Sequence, residues 1–155
     1  MLRKRTIESL NKVKPAIRYQ LLSKNAKTPR KATPMSAGFD IFSAEEYTIN
    51  PHTTAKINTD LVVLCPPGTY ARIADRSCNA YTNNIHIIGG VVDADFRGAI
   101  QVLVHNLGSE PFTFLHGFKI AQIIFEKIHD AIELEEVKIP CSPTLRGSVG
   151  FGSTN

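Results

Sequence analysis

Short apolar runs, separated by turn-forming residues, make up most of the chain from Ile17 onward. The separators are rich in Pro, Gly and Asn, as at Pro66-Pro67-Gly68 and Gly89-Gly90. Several short strands at this spacing predict an all-β sandwich or barrel. The predicted strands are Ile17–Leu22, Phe39–Phe42, Tyr47–Ile49, Ala55–Leu64, Thr69–Ala74, Ile85–Ile88, Val91–Ala94, Ala99–Asn106 and Phe112–Leu115.

The clearest alternation of apolar and polar residues runs from Val92 to Val104. Side chains point to opposite faces along a strand, so a regular strand here would leave Asp93 and Asp95 outside the core. The same strand would turn Phe96 inward.

One segment fits two kinds of secondary structure. Isoleucines at positions 120, 123, 124 and 128 suit an amphipathic helix about as well as a strand, and good helix formers lie between them. Periodicity alone does not decide between the two.

The composition is that of one compact domain. The chain has 155 residues, of which 43% are apolar and 21% charged, and a chain of this size buries roughly two-thirds of its unfolded surface. No window approaches the ~18 apolar residues of a membrane span. Met1–Lys14 lacks the apolar stretch of a secretory signal, so we expect an intracellular protein, cytoplasmic or nuclear, with no membrane partner.

Cysteine spacing argues against a disulfide framework or a zinc site. Cys65, Cys78 and Cys141 are odd in number, far apart and without a C-x-x-C pair. We therefore expect free thiols in a reducing compartment.

Charge is distributed unevenly. The net charge is +4, but residues 1–35 hold ten Lys/Arg and one acid, Glu8. A basic arm of this kind suits nucleic-acid contact, although a solvated extension is the more common role. We divide the chain into a basic extension (1–16), a β domain (17–140) and a flexible tail (141–155) rich in Gly and Ser.

Two short stretches offer groups for chemistry. Arg76-Ser77-Cys78 follows a predicted strand and could begin a short helix, where an Arg, a hydroxyl and free N–H groups suit a phosphate. Gly89 and Gly90 precede Asp93 and Asp95, and these acids could hold Mg²⁺ through water or activate a water as a base. Taken singly, these stretches are more commonly a capped surface turn and a hairpin with solvated acids.

The tail offers a third set of groups, at Arg146–Thr154. It combines a cation, several N–H donors, two hydroxyls and the ring of Phe151, which would suit a lid over a nucleotide. It lacks the Lys-Ser/Thr ending of a Walker loop. Taken by itself, such a tail is more commonly a disordered glycine-rich end.

Taken together and in order, these pieces closely resemble the five motifs of the trimeric dUTP diphosphatase (dUTPase) family. The resemblance spans Ile17–Asn155. The segments that resemble the motifs are Ala37–Ala44, Ala71–Ser77, Gly90–Gly98, Gly117–Gln122 and Arg146–Thr154.

The resemblance implies a β-rich, distorted jelly-roll or β-clip-like subunit that forms a homotrimer, with Ile120–Ile128 as a strand. Each active site would be built from several chains and closed by the tail. The implied reaction is Mg²⁺-dependent hydrolysis of dUTP to dUMP and pyrophosphate, by water attack at the α-phosphorus. Mg²⁺ would be held mainly by substrate phosphates and water. Such an enzyme limits uracil in DNA and supplies dUMP.

Residue roles follow from the resemblance by position. Asp93 matches the general base. Main-chain groups of Ile88–Val92, among them Gly90, Val91 and Val92, match the hairpin that recognises uracil and excludes a 5-methyl group. Phe96 matches the ring that stacks on deoxyribose, usually a tyrosine.

Further positions match the phosphate contacts and the lid. Arg76, Ser77 and Gln122 match residues that contact phosphate, with Cys78 beside them. In the tail, Arg146, Ser153 and Thr154 match the grip on the γ-phosphate, and Phe151, with Gly152 beside it, matches the ring that covers uracil. Asp40 and Asp95 are expected to support the site.

Four positions depart from the family pattern: Asp75, Cys78, Phe118 and Val149. Asp75 adds a negative charge beside the expected phosphate site, Cys78 replaces a glycine, and Phe118 replaces an acid that usually orders the site. These departures imply an alternative, an impaired dUTPase-fold protein that acts as a nucleotide-binding regulatory or interaction module.

Overall fold

The computed structural model describes residues 16–129, 131–137 and 144, and strands dominate this part of the chain. The predicted extension and tail therefore lie outside the described residues, except for Ala16 and Thr144. No helix in the described ranges is long and apolar enough to cross a membrane. The elements are β1 (Arg18–Leu21), β2 (Phe39–Phe42), β3 (Tyr47–Ile49), β4 (Thr54–Asn58), β5 (Leu61–Leu64), β6 (Thr69–Ala74), α1 (Ser77–Asn83), β7 (Ile85–Ile88), β8 (Val91–Val92), β9 (Gln101–Asn106), β10 (Phe112–Phe114) and β11 (Lys119–Lys127).

The strands pair in antiparallel ladders that form four small sheets. One sheet has the order β2-β11-β6-β8 and a second has the order β4-β9-β7, while β1 pairs with β5 and β3 with β10. This is the predicted all-β architecture, a distorted jelly-roll.

The core lies between these sheets. Ile41 on β2, Ile57 on β4, Val104 on β9, Phe114 on β10 and Ile123 on β11 are almost completely buried. Each such side chain contributes about 1.5–3 kcal/mol through burial. Their packing fixes β2 and β11, which carry part of the candidate site.

Strand β11 resolves the ambiguous isoleucine segment in favour of a strand. The register against β2 shifts between Lys119 and Ala121, which marks a β-bulge. Ile120 and Ala121 are consecutive and both fully buried. Two adjacent buried residues break the period of two, which is why the sequence suited a helix equally well.

The alternation of apolar and polar residues from Val92 to Val104 does not form one regular strand, and the predicted strand Val91–Ala94 is shortened at its end. Strand β8 ends at Val92, and the Phe96 N–H donates to the Asp93 carbonyl at 3.1 Å. The Arg97 guanidinium donates to the carbonyls of Ala94 and Phe96, both at 2.9 Å, and so stabilises a turn. Phe96 is consequently 45% exposed and does not enter the core.

The predicted strand Ala55–Leu64 is divided into β4 and β5. Asp60 has a φ of 50°, in the left-handed region that ends a strand. Thr59 is buried and its hydroxyl donates to the Ile100 carbonyl at 2.6 Å. At the break between β4 and β5, this side-chain hydrogen bond takes the place of a backbone hydrogen bond in a continuous strand.

Candidate active site

The β7–β8 hairpin forms one wall of a cavity of about 330 Å³. Strand β7 pairs with β9 and strand β8 pairs with β6, so the segment Ile85–Val92, called the β7–β8 hairpin here after the glycine turn between its strands, joins two sheets. The structure brings most of the predicted base and sugar contacts to this one cavity. Its lining includes Ile73, Gly90, Val91, Val92, Asp93 and Phe96.

Gly90 lets the hairpin lie directly against β6. The Ile73 N–H donates to the Gly90 carbonyl at 2.7 Å. A Cβ atom at position 90 would clash with the Ile73 carbonyl oxygen. The absence of a side chain therefore sets how closely the hairpin backbone approaches β6 at the cavity.

Asp93 lies at the cavity directly after β8 and is exposed to solvent. The turn closed by its carbonyl and the Phe96 N–H holds its backbone in place. A solvent-accessible carboxylate on a backbone held in this way is suited to hold a water molecule and accept its proton. Asp95 is exposed too but is not among the residues that line the cavity, so the structure does not bring it there beside Asp93.

The Phe96 ring faces the cavity from the following turn. A Cβ atom at Gly98 would lie only 2.6 Å from Cζ of this ring, so the ring rests on the Gly98 backbone. Its half-exposed face is available to a flat or ring-shaped group.

A second, smaller pocket of about 170 Å³ brings together the predicted phosphate contacts. Its lining consists of Asp40, Arg76, Ser77, Cys78 and Gln122. These residues come from β2, from the start of α1 and from β11. Asp40, which the sequence placed in a supporting role, is thus part of this pocket.

Asp40 holds two cations. Arg76 Nε donates to Asp40 Oδ1 at 2.9 Å, and Lys119 Nζ lies 2.8 Å from Oδ2. Burial by itself raises the pKa of Asp40, but the hydrogen bond from Lys119 and the charge of Arg76 outweigh it, so the pKa lies below its usual 3.8. The Arg76 guanidinium, which also donates to the Lys119 carbonyl, is therefore held in one orientation.

Helix α1 begins as the sequence predicted, with Arg76 as its N-cap and Ser77 as its first residue. It is anchored by Asn79, whose buried side-chain amide donates to the carbonyls of Lys119 and Ile120 at 3.0 and 3.2 Å. The helix start, with Ser77 and the exposed Cys78, is thus fixed against β11.

Gln122 is held at the second pocket by two neighbours. Its Nε2 donates to the Asp75 carbonyl at 2.8 Å. A Cβ atom at Gly38 would lie 2.5 Å from Gln122 Oε1, so the side chain lies on a bare backbone. Gly38 belongs to the first predicted motif, and this contact gives that residue a structural role.

The structure accommodates two of the departures from the family pattern. Asp75 Oδ1 accepts a hydrogen bond from the Ile87 N–H at 2.6 Å, so its carboxylate is bound to the hairpin. The Phe118 ring packs edge-on against Phe112 and Phe114, with centroid distances of 5.8 and 5.7 Å. The sequence analysis treated Asp75 as an added charge and Phe118 as the loss of an acid, because neither contact follows from the local pattern.

Lys119, which the sequence analysis did not name as a site residue, lies beside the second pocket as a partner of Asp40. Lys119 directly precedes the bulge in β11, and the sequence analysis did not predict that bulge. The predicted tail contacts Arg146, Phe151, Gly152, Ser153 and Thr154 lie outside the described residues, as does Val149.

Comparison with known proteins agrees with this geometry. The family model for dUTPase matches residues 24–155. The chain belongs to the dUTPase family. The deoxyuridine 5'-triphosphate nucleotidohydrolase of Fowlpox virus (strain NVSL) is 46% identical over 138 residues, covering 86% of this chain and 92% of the relative. The Mus musculus enzyme of the same name is 42% identical over 139 residues, covering 90% and 85%.

Solved structures of dUTPases share this fold. The Staphylococcus bacteriophage 80alpha dUTPase with dUpNHpp superposes with a TM-score of 0.81 and 28% identity, covering 90% of this chain and 98% of the phage chain. A D95N mutant of the dUTPase from phage phi11 of S. aureus, described with a structural Mg(II) ion, has a TM-score of 0.77 and 25% identity, covering 83% and 100%.

Proposed function

We propose that this protein hydrolyses dUTP to dUMP and pyrophosphate. The observation that carries the proposal is the cavity in which the hairpin backbone around Gly90, the exposed Asp93 carboxylate and the Phe96 ring meet. Family membership and relatives named for this activity support it.

Base selection is assigned to the hairpin. Those backbone N–H and C=O groups of Gly90, Val91 and Val92 that are not bonded to β6 can pair with a pyrimidine edge in the way that strands pair with one another. Because Gly90 lies against Ile73, the hairpin has little freedom to retreat from a 5-methyl group. The half-exposed Phe96 ring would stack on the deoxyribose and leave no space for a 2′-hydroxyl.

The chemical step needs one base. Asp93 accepts a proton from a water molecule as the water oxygen bonds to the α-phosphorus. The bond from that phosphorus to the oxygen bridging to the β-phosphate breaks, and pyrophosphate leaves with the electron pair. Arg76 and Ser77, oriented by Asp40 and α1, bind the phosphates, and the charged guanidinium offsets negative charge that moves onto the leaving group.

Mg²⁺ enters this proposal with the substrate. Among residues 16–129, 131–137 and 144, no three His, Cys, Asp or Glu side chains are grouped so as to hold a metal ion. These residues do not fit a protein-bound metal centre, so no step above passes through one. Mg²⁺ bound to the phosphates and to water would neutralise part of the triphosphate charge.

Assembly is part of the proposal. The site is open in the single chain, since Asp93 and Phe96 are exposed, and apolar side chains such as Val91 and Leu134 are exposed as well. A homotrimer in which neighbouring chains complete each site accounts for both facts. Light scattering should give a mass near three times 17.1 kDa, and a monomer at tens of micromolar would contradict the shared site.

We also propose an intracellular location for this protein, cytoplasmic or nuclear.

Pyrophosphate release with Mg²⁺ tests the activity. We expect turnover of dUTP and little turnover of dCTP, dTTP or UTP at equal concentration. No release above background from any of them would favour the alternative, a binding module without turnover. That alternative relied on four departures, and the side chains of two of them, Asp75 and Phe118, have partners in the fold.

A further inference from the structure

Asp75 stands between the two pockets of the site. It directly follows β6 and directly precedes Arg76, the phosphate-contacting N-cap of α1. Two residues earlier, Ile73 lines the larger cavity, where the base is proposed to bind (the base cavity), and its N–H donates to the Gly90 carbonyl. Any displacement of Asp75 relative to the hairpin would therefore move Arg76 and Ser77 relative to the base cavity.

The side chain of Asp75 is bound to the hairpin through both oxygens. Oδ1 accepts from the Ile87 N–H at 2.6 Å, and Oδ2 accepts from Nδ1 of His86 at 3.0 Å. Hydrogen bonds to a carboxylate are roughly twice as strong as bonds between neutral groups. Both partners lie on β7, which also pairs with β9.

The backbone of Asp75 is bound to the opposite side of the site. Its carbonyl accepts a hydrogen bond from the Gln122 side-chain amide at 2.8 Å. Gln122 lines the smaller pocket, where the phosphates are proposed to bind (the phosphate pocket). One residue thus connects β11, the phosphate loop and the hairpin.

We propose that Asp75 is a positioning residue, which aligns the phosphate loop (Arg76–Ser77) with the β7–β8 hairpin. This alignment sets where the α-phosphorus lies relative to Asp93, and the inference rests on the proposed dUTP hydrolysis. The carboxylate acts through Ile87 and His86 and does not touch the substrate. Its negative charge beside a triphosphate is tolerable because both oxygens are already bound.

The contact itself is tested by amide hydrogen exchange at Ile87. The wild type and Asp75→Asn, which keeps the Oδ1 acceptor, should protect this amide similarly. Asp75→Ala should exchange it at least tenfold faster. Equal exchange in Asp75→Ala and wild type would overturn the inference, because the bond would not hold the hairpin in solution.

Kinetics test the positioning role. A small misplacement of reacting groups is costly, so Asp75→Ala should lower kcat for dUTP about tenfold per folded site, with a change in KM under threefold. Asp75→Asn should recover kcat to within threefold of wild type. Glu46→Gln, which removes an exposed carboxylate elsewhere, should match wild type. A purely structural role would lower the melting temperature of Asp75→Ala and leave kcat per folded site unchanged, which would overturn the inference.

A second variant guards against misfolding of Asp75→Ala. Asp75→Glu keeps the charge but displaces the carboxylate by one methylene, and it should lower kcat about three- to tenfold while Ile87 exchanges faster. If Asp75→Glu kept the wild-type kcat although Ile87 exchanged faster, this inference would be overturned and the proposed function would stand. A wild-type protein without turnover would instead overturn the proposed function and this inference with it.

Discussion

Lys119 Nζ lies 2.8 Å from Asp40 Oδ2 and joins β11 to β2 at the phosphate pocket, while Arg76 occupies the other oxygen of the same carboxylate. Asp40 is 7% exposed, so the ion cluster is largely shielded from water on the acid side. Such a cluster orients Arg76 and at the same time makes the fold depend on the charge of one acid.

Asp40→Asn should destabilise the fold by about 1–3 kcal/mol at neutral pH, because two cations lose their anion. Folding lowers the pKa of Asp40, so its stabilisation is complete above its ordinary value of 3.8 and is lost as pH falls towards the folded value. Urea unfolding should therefore show a difference between wild type and variant that shrinks below pH 3.8.

The matched comparison for that experiment is Glu126→Gln. Glu126 is also paired, with Arg72, but both partners are much more exposed than Asp40. Its loss should change stability less. A larger effect at Glu126 than at Asp40 would contradict the assigned importance of the Asp40 cluster.

Asp93→Asn should lower turnover of dUTP by on the order of 10²–10⁴, since the amide cannot accept the proton of the attacking water. Affinity for a nonhydrolysable imido analogue, measured by calorimetry, should change little. Asp95→Asn removes a carboxylate two residues away and should cost less than tenfold. Turnover of Asp93→Asn within tenfold of wild type would remove Asp93 from its role.

Gly90→Ala should raise KM for dUTP at least tenfold, because the new methyl group meets the Ile73 carbonyl and pushes the hairpin off β6. Gly68→Ala is the matched control. Gly68 has a φ of +69° and no atom within 4 Å of a built Cβ, so this change strains the backbone by about 1–2 kcal/mol and leaves KM unaltered. Similar KM values for the two variants would show that close packing at Gly90 is unimportant.

A chain that ends at Leu145 should lose dUTP turnover by on the order of 10² or more, if Arg146, Phe151, Ser153 and Thr154 contact the substrate as predicted. Its melting temperature should stay near that of the full chain. A chain that lacks Met1–Lys14 serves as the control and should turn over normally, since that arm is predicted to be a solvated extension. Equal activity of both truncated chains would contradict the predicted lid.

Much of the architecture was predictable because burial and turn chemistry are local. The bounds of β2, β3, β6 and β7 agree with the apolar runs, since a Gly or Asn directly precedes or follows each strand: Gly38 before β2, Asn50 after β3, Gly68 before β6 and Gly89 after β7. The turn after β8 was not predicted, because Arg97 stabilises it by bonding to carbonyls while the residues around it still alternate.

Individual residues of the candidate site could be predicted from the sequence, but the contacts between them could not. The residues assigned by motif, Asp93, Phe96, Arg76 and Gln122 among them, lie at the two pockets. The bonds of Asp75 to Ile87 and of Lys119 to Asp40 join segments far apart in the chain. Such pairs become visible only once the strands are placed.

The extra residue at Ile120 determines which side chains the phosphate pocket receives. Residues three apart on an unbroken strand face opposite ways, yet Lys119 and Gln122 both reach Asp40 or its pocket. Without that extra residue, the side chains on one side of it would point to the opposite face of β11. Either Lys119 or Gln122 would then face away from Asp40.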